Sequence, residues 1–148
     1  MAIELEISDT QKFISINSEA IRGLVTRTLN RESRSDARVE ISFVDNSTIH
    51  AINRSHLGHD WPTDVITFPL TDPDAPILEG ELLISTEMAK LEAADRGLDA
   101  QTELFLYIIH GLLHLCGFDD TTPDLAEHMR AREAYHLAAE IPNHPGEH

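Results

Sequence analysis

Two histidines, His110 and His114, interrupt one of the most apolar stretches of the chain, and Asp119 and Asp120 follow just past Gly117. Helical residues four apart lie one turn apart on one face. Two imidazoles so placed can share one metal ion. Zinc binds such nitrogens at about 2.0–2.1 Å and needs three protein ligands if water is to hold the fourth position. One helical face does not offer three ligands at suitable angles, so the third must come from beyond the helix end. The chain turns at Gly117, and a carboxylate just after it can swing back over the histidines. The competing view is a pair of core histidines, each satisfied by a hydrogen bond. Burying two unpartnered imidazoles in an apolar helix is costly, and a metal removes that cost. Gly111, inside the helix, costs about 1 kcal/mol against alanine. Close approach of another backbone, or of substrate near His110, would account for it.

The segment resembles the signature of the YbeY family of metal-dependent endoribonucleases, which act on single-stranded RNA and in ribosomal RNA maturation. The family pattern is His-Gly-x-Leu-His-Leu-x-Gly-Tyr-Asp-His. Here His110, Gly111, Leu113, His114, Leu115, Gly117 and Asp119 match, Phe118 stands for the tyrosine, and Asp120 stands for the last histidine. Upstream, "LGHDWPTDVITFP" (57–69) is similar to the family's turn-and-strand segment and "GELLIS" (80–85) to its second strand block. The match covers most of residues 38–140.

The resemblance implies one Zn2+ or other divalent ion per chain. It makes His110, His114 and Asp120 both the ligands and the catalytic groups, and Asp119 a residue that fixes the loop. Carboxylate oxygen is an acceptable zinc ligand at about 2.0–2.2 Å. It adds a negative charge, which weakens the ion as a Lewis acid and can alter metal preference. His128 is the fallback third ligand. A second departure is Leu57, where the family carries an arginine thought to hold phosphate; Arg54, a turn earlier, or His59 would have to substitute. The resemblance also places Thr63, Asp64 and Thr67 along the substrate cleft, although turn and strand capping is their other role. Trp61 either stacks on a base or packs over the sheet edge.

The implied partners are single-stranded RNA, ribosomal RNA and the small ribosomal subunit. In open zinc sites the pKa of bound water falls towards about 7; attack on phosphorus, or activation of the ribose 2′-hydroxyl, follows from that. A zinc peptidase is a rival, but there the residue after the first histidine is a glutamate base, and here it is Gly111. Glu103 and Glu127 would need tertiary placement to replace it. The rival from another class is a non-catalytic ribosome-associated assembly factor with a structural metal.

These residues need elements to position them. At 148 residues the chain reads as one domain over 1–140 with a flexible tail, 141–148. The single cysteine, Cys116, excludes an internal disulfide, and Cys116 reads as a small core hydrophobe. The start "MAIELEISDTQKF" has no signal-peptide pattern. The longest apolar run, Leu104 to Phe118, falls short of the roughly 20 residues of a membrane span. A cytoplasmic protein is expected. A net charge of -15 argues against non-specific nucleic-acid binding. Arg22, Arg27, Arg31, Arg34 and Arg38 nevertheless crowd together, as a solvated face or a local basic patch.

Alternation predicts strands at 3–7 and 38–44, and strands are also expected at 64–68 and 80–85. Helical spacing predicts helices from Ser18 to about Glu32, at 46–57 capped by Asn46 or Ser47, and from Thr86 to Arg96 with Gly97 as the stop. The proline-rich stretch 69–79 predicts a loop. A helix from about Asp99 to Cys116, apolar on nearly every side, must be buried. Thr122 and Pro123 open a last helix reaching about Glu140. The fold class expected is α+β, with about four strands in a mixed sheet, helices packed on it and a metal site on the central helix.

Overall fold

The computed structural model describes residues 2–58 and 63–140. His59 and Trp61, the tail 141–148 and its histidines lie outside the described residues. The elements run β1 (Ile3–Asp9), α1 (Ser18–Arg31), β2 (Ala37–Val44), α2 (Asn46–Leu57), β3 (Val65–Pro69), β4 (Leu78–Ser85), α3 (Thr86–Arg96), α4 (Ala100–Leu115) and α5 (Pro123–Glu140). The α+β class with a four-stranded mixed sheet, expected from the sequence, is what the chain forms. Strand order is β1-β2-β4-β3. β1, β2 and β4 are parallel, and β3 lies antiparallel to β4 at one edge.

Strand alternation divides the sheet into two faces. Leu5, Val39, Ile41, Phe43, Leu82 and Ile84 join the main core with α1 and α4. On the other face Val44, Ile66 and Leu83 bury Ile49 of α2 in a smaller cluster. Helix α4 lies at the centre of the main core: Leu104, Ile108, Ile109, Leu112 and Leu113 are fully buried. That burial explains why its hydrophobicity runs almost all round.

Two glycines set how closely α4 meets the sheet. A Cβ on Gly111 would come within 2.8 Å of the Leu82 side chain, and one on Gly80 would run into Leu115. The expectation for Gly111 was backbone or substrate as the close neighbour. The neighbour is instead a leucine side chain of β4.

Local signals end the elements. The N-cap of α2 is Asp45, whose carboxylate accepts from the Thr48 N–H at 2.8 Å. The expected caps, Asn46 and Ser47, lie already inside the helix. Asn46 is engaged elsewhere: its side chain accepts from the Ser85 hydroxyl at 2.6 Å. β4 starts at Leu78, two residues before the expected position, because pairing carries past Gly80 along β2. Gly58 and Gly97 close α2 and α3 in the left-handed region.

The early arginines form ion pairs and hydrogen bonds rather than an uncommitted basic patch. Arg27 and Arg31 both hold Glu140 at the end of α5, Arg38 holds Glu4, and Arg22 donates to the Leu5 carbonyl. Arg34 donates to the Ala75 carbonyl. No helix among the described residues is long and apolar enough to cross a membrane.

Candidate metal centre

The end of α4 builds the site. The Gly117 N–H donates to the His114 carbonyl and the Phe118 N–H to the Leu113 carbonyl, both at 3.0 Å. Gly117 sits at φ +101. This pair of bonds satisfies carbonyls that a helix end leaves open, with glycine where a left-handed residue is needed. The chain reverses there and carries 119–122 back towards the histidine face. Thr122 then caps α5 by accepting from the Leu125 N–H.

The two imidazoles meet edge to face, with centroids 4.6 Å apart and an interplanar angle of 80°. Their Nε2 atoms are 3.1 Å apart. Asp120 presents Oδ2 at 3.8 Å from His110 Nε2 and 3.7 Å from His114 Nε2. Two ligands at zinc distances on a tetrahedron lie about 3.4 Å apart. The three observed edges bracket that spacing, so two nitrogens and one oxygen can face a single cation. Among the described residues these three form the group with metal-ligating potential. The donor set, two imidazoles and a carboxylate, suits zinc and also other first-row divalent ions.

Asp119 is turned into the loop. Its Oδ1 accepts from the Asp120 N–H at 2.7 Å and its Oδ2 from the Thr121 hydroxyl at 3.0 Å. Those bonds hold its pKa below the ordinary aspartate value. His128 is exposed on α5 and stacks on the Phe118 ring, centroids 5.4 Å apart, rather than joining the group. Cys116 is half-buried beside the core, and burial pushes its thiol up to about 11, so it stays protonated at neutral pH.

A residue that the sequence reading passed over completes the arrangement. Glu133 of α5 accepts a hydrogen bond from His110 Nδ1. A carboxylate only accepts, so Nδ1 carries the proton and the Nε2 lone pair is left towards His114 and Asp120. Burial disfavours the charged His110 ring. Glu133 opposes this directly, with Asp64 and Asp120 behind it, and the net effect raises the pKa. The sequence did carry a signal: Met129, Glu133 and Leu137 recur at helical spacing, and Met129 and Leu137 are buried. A carboxylate on that apolar stripe needs a partner.

The wall facing the histidines is the edge strand. Val65, Thr67 and Pro69 line a cavity of about 280 Å³ together with His110 and His114. Asp64 lines a second cavity of similar size that also reaches Val65 and His110. Its Oδ1 accepts from the Val65 N–H at 2.7 Å, and the Thr63 hydroxyl lies 3.4 Å from the same oxygen. Thr67 and Asp64 are therefore brought to the histidines, and Thr63 lies behind Asp64. Arg54 is exposed on α2, whose Ile49 packs on the opposite face of the sheet, and lines neither cavity. Leu57 is 45% exposed. Of the two glutamates considered as peptidase bases, Glu103 is buried on Arg96 at 3.0 Å and Glu127 is exposed on α5.

Comparison with known proteins gives three results. The family model described as Endoribonuclease YbeY matches residues 6–140. Proteins named Endoribonuclease YbeY from Syntrophotalea carbinolica and Carboxydothermus hydrogenoformans are 35% and 34% identical. Their matches cover 88% and 90% of this chain and 91% and 95% of theirs. One of the same name from Rhodopirellula baltica is 44% identical over 97 residues, a match taking in 64% of this chain and 50% of that one, so this chain spans about half of that relative's length. In structure, a Thermotoga maritima protein solved in solution superposes with a TM-score of 0.64 at 24% identity, over 99% of this chain and 95% of the other. That likeness shows a shared fold.

Proposed function

The chain belongs to the Endoribonuclease YbeY family, and on that premise we propose that it is a divalent-metal-dependent endoribonuclease cutting single-stranded RNA in ribosomal RNA maturation and ribosome quality control. One observation carries the reading: the convergence of His110 Nε2, His114 Nε2 and Asp120 Oδ2 beside a groove walled by the edge strand. The ion is taken as zinc, the substrate as ribosomal RNA met on the small subunit, and the compartment as the cytoplasm. When bound, such an ion supplies Lewis acidity towards a phosphoryl oxygen and lowers the pKa of water to about 7.

The chain's own groups divide the remaining work. Glu133 keeps the His110 proton on Nδ1, which fixes the tautomer and the ring plane. His114 completes the nitrogen pair. Asp120 contributes the third donor and a negative charge, which makes the set less acidifying than three imidazoles. Thr67 and Asp64 lie where a strand of RNA would pass between β3 and α4. Gly111 offers no side chain to take a proton, and Glu133 stands behind His110, away from Nε2. Peptide hydrolysis therefore lacks its base.

A second reading, an assembly factor that binds without cutting, is favoured by one observation. Most arginines are held by carboxylates or carbonyls, and Leu57 leaves its position without a cation. The deciding experiment is cleavage of a single-stranded oligoribonucleotide by purified protein, with and without chelator, beside His114→Ala. Chelator-sensitive cleavage that His114→Ala abolishes is expected. Bound metal with intact RNA would favour the assembly factor.

A further inference from the structure

The second cavity that His110 lines, about 280 Å³ in volume, also has Tyr107, Arg130 and Glu133 in its wall. Among the described arginines, Arg130 stands apart. Arg27, Arg31, Arg38, Arg96 and Arg132 are held in ion pairs, Arg22 and Arg34 donate to backbone carbonyls, and Arg54 also has a partner. Arg130 makes no ion pair or hydrogen bond among the described residues, and it is exposed. Arg96 lines the same cavity, but Glu103 and Glu92 hold it. Tyr107 lines the same cavity, but its hydroxyl is fully buried and has no hydrogen-bond partner, so it is closed to a ligand.

An uncommitted guanidinium on an acidic protein, beside the candidate site, is suited to one kind of ligand. Guanidinium binds phosphate through paired donors and keeps its charge at every working pH. We propose that Arg130, in a cavity wall shared with His110, forms a subsite for the phosphate of the nucleotide next to the one at His110, His114 and Asp120. The proposal rests on the RNA-cleaving reading above. The two wall carboxylates, Asp64 and Glu133, each have an oxygen engaged, by the Val65 N–H and by His110 Nδ1. Their charge keeps the phosphate towards Arg130, on the exposed side of the cavity.

The test separates binding from cutting. Anisotropy of a labelled single-stranded oligoribonucleotide is titrated with full-length, metal-free protein in chelator over a range of salt concentrations. The proteins are wild type, Arg130→Gln, Arg130→Lys and Lys90→Gln, the last an exposed lysine of α3. Arg130→Gln should weaken binding about fivefold and flatten the log-affinity against log-salt slope by about 0.7, one single-strand phosphate contact. Arg130→Lys should keep most of that slope, and Lys90→Gln should match wild type. Wild-type affinity and slope in Arg130→Gln would overturn the proposal, as would an equal loss in Lys90→Gln or no binding by wild type. Cleavage is scored separately with metal restored. Binding that depends on Arg130 without any cleavage would sink the nuclease reading and leave the subsite standing.

Discussion

Helix α5 makes two imidazole–carboxylate contacts, three residues apart, and they serve different ends. Glu133 reaches across to His110 on α4. His136 meets Glu32, just past the end of α1, at 2.6 Å, and Arg132 holds the same carboxylate at 2.5 Å. His136 is fully buried, and its second ring nitrogen has no partner. His110 is partly exposed, and its second nitrogen faces another imidazole and a carboxylate beside a cavity. A histidine paired with a carboxylate is therefore no mark of a site by itself. What distinguishes His110 is that its other nitrogen opens onto further donors and free space.

The two rings also respond oppositely to pH. The raised His110 pKa means that the metal-free folded protein holds that proton more tightly than the unfolded chain. Its stabilising contribution is complete below the ordinary histidine value of about 6.5 and is lost as pH rises through the folded value. Burial lowers the His136 pKa despite the opposing pull of Glu32. There the unfolded chain takes the proton first, so stability falls as pH drops below about 6.5 and levels off once the folded ring is protonated.

The largest expected effect breaks the contrast outright. His114→Ala should abolish stoichiometric zinc binding and cut RNA cleavage about 1000-fold, read by metal analysis and initial rates. His136→Ala should leave zinc content unchanged and destabilise the fold by about 2–4 kcal/mol in denaturant titration. Zinc loss in that variant would erase the distinction between the two regions. Glu133→Gln should weaken zinc by about 10- to 100-fold in chelator competition, with little change in melting temperature. A large melting shift with intact zinc affinity would make Glu133 a structural strut instead. Asp120→His should keep the metal and raise hydrolysis by a few-fold; a variant that no longer holds zinc would refute the ligand assignment. The smallest effect is the opposed pH slopes. His136→Leu should remove the metal-free protein's stability loss below about pH 6.5 and leave the decline at higher pH.

What the sequence disclosed follows the same division between local and distant. The extent of α4, its stop at Gly117 and the capping of α5 were legible because each rests on neighbours within five residues. The sheet's four strands were legible, two of them from alternation, although Pro69 stayed in the edge strand and Leu78 joined β4 through pairing that only the assembled sheet supplies. Glu133 escaped because its partner lies 23 residues away on another helix. The early arginines escaped for the same reason, since Glu140 is 113 residues from Arg27.

Gly111 on the helix receives a leucine from the strand, and Gly80 on the strand receives a leucine from the helix. The joint is thus notched on both parts, like crossed timbers each cut to half depth. Shifting α4 along β4 would force both leucines out of their notches and against neighbouring side chains at once. The height at which the imidazoles stand above the sheet is therefore carpentered into two backbone positions, one on each part.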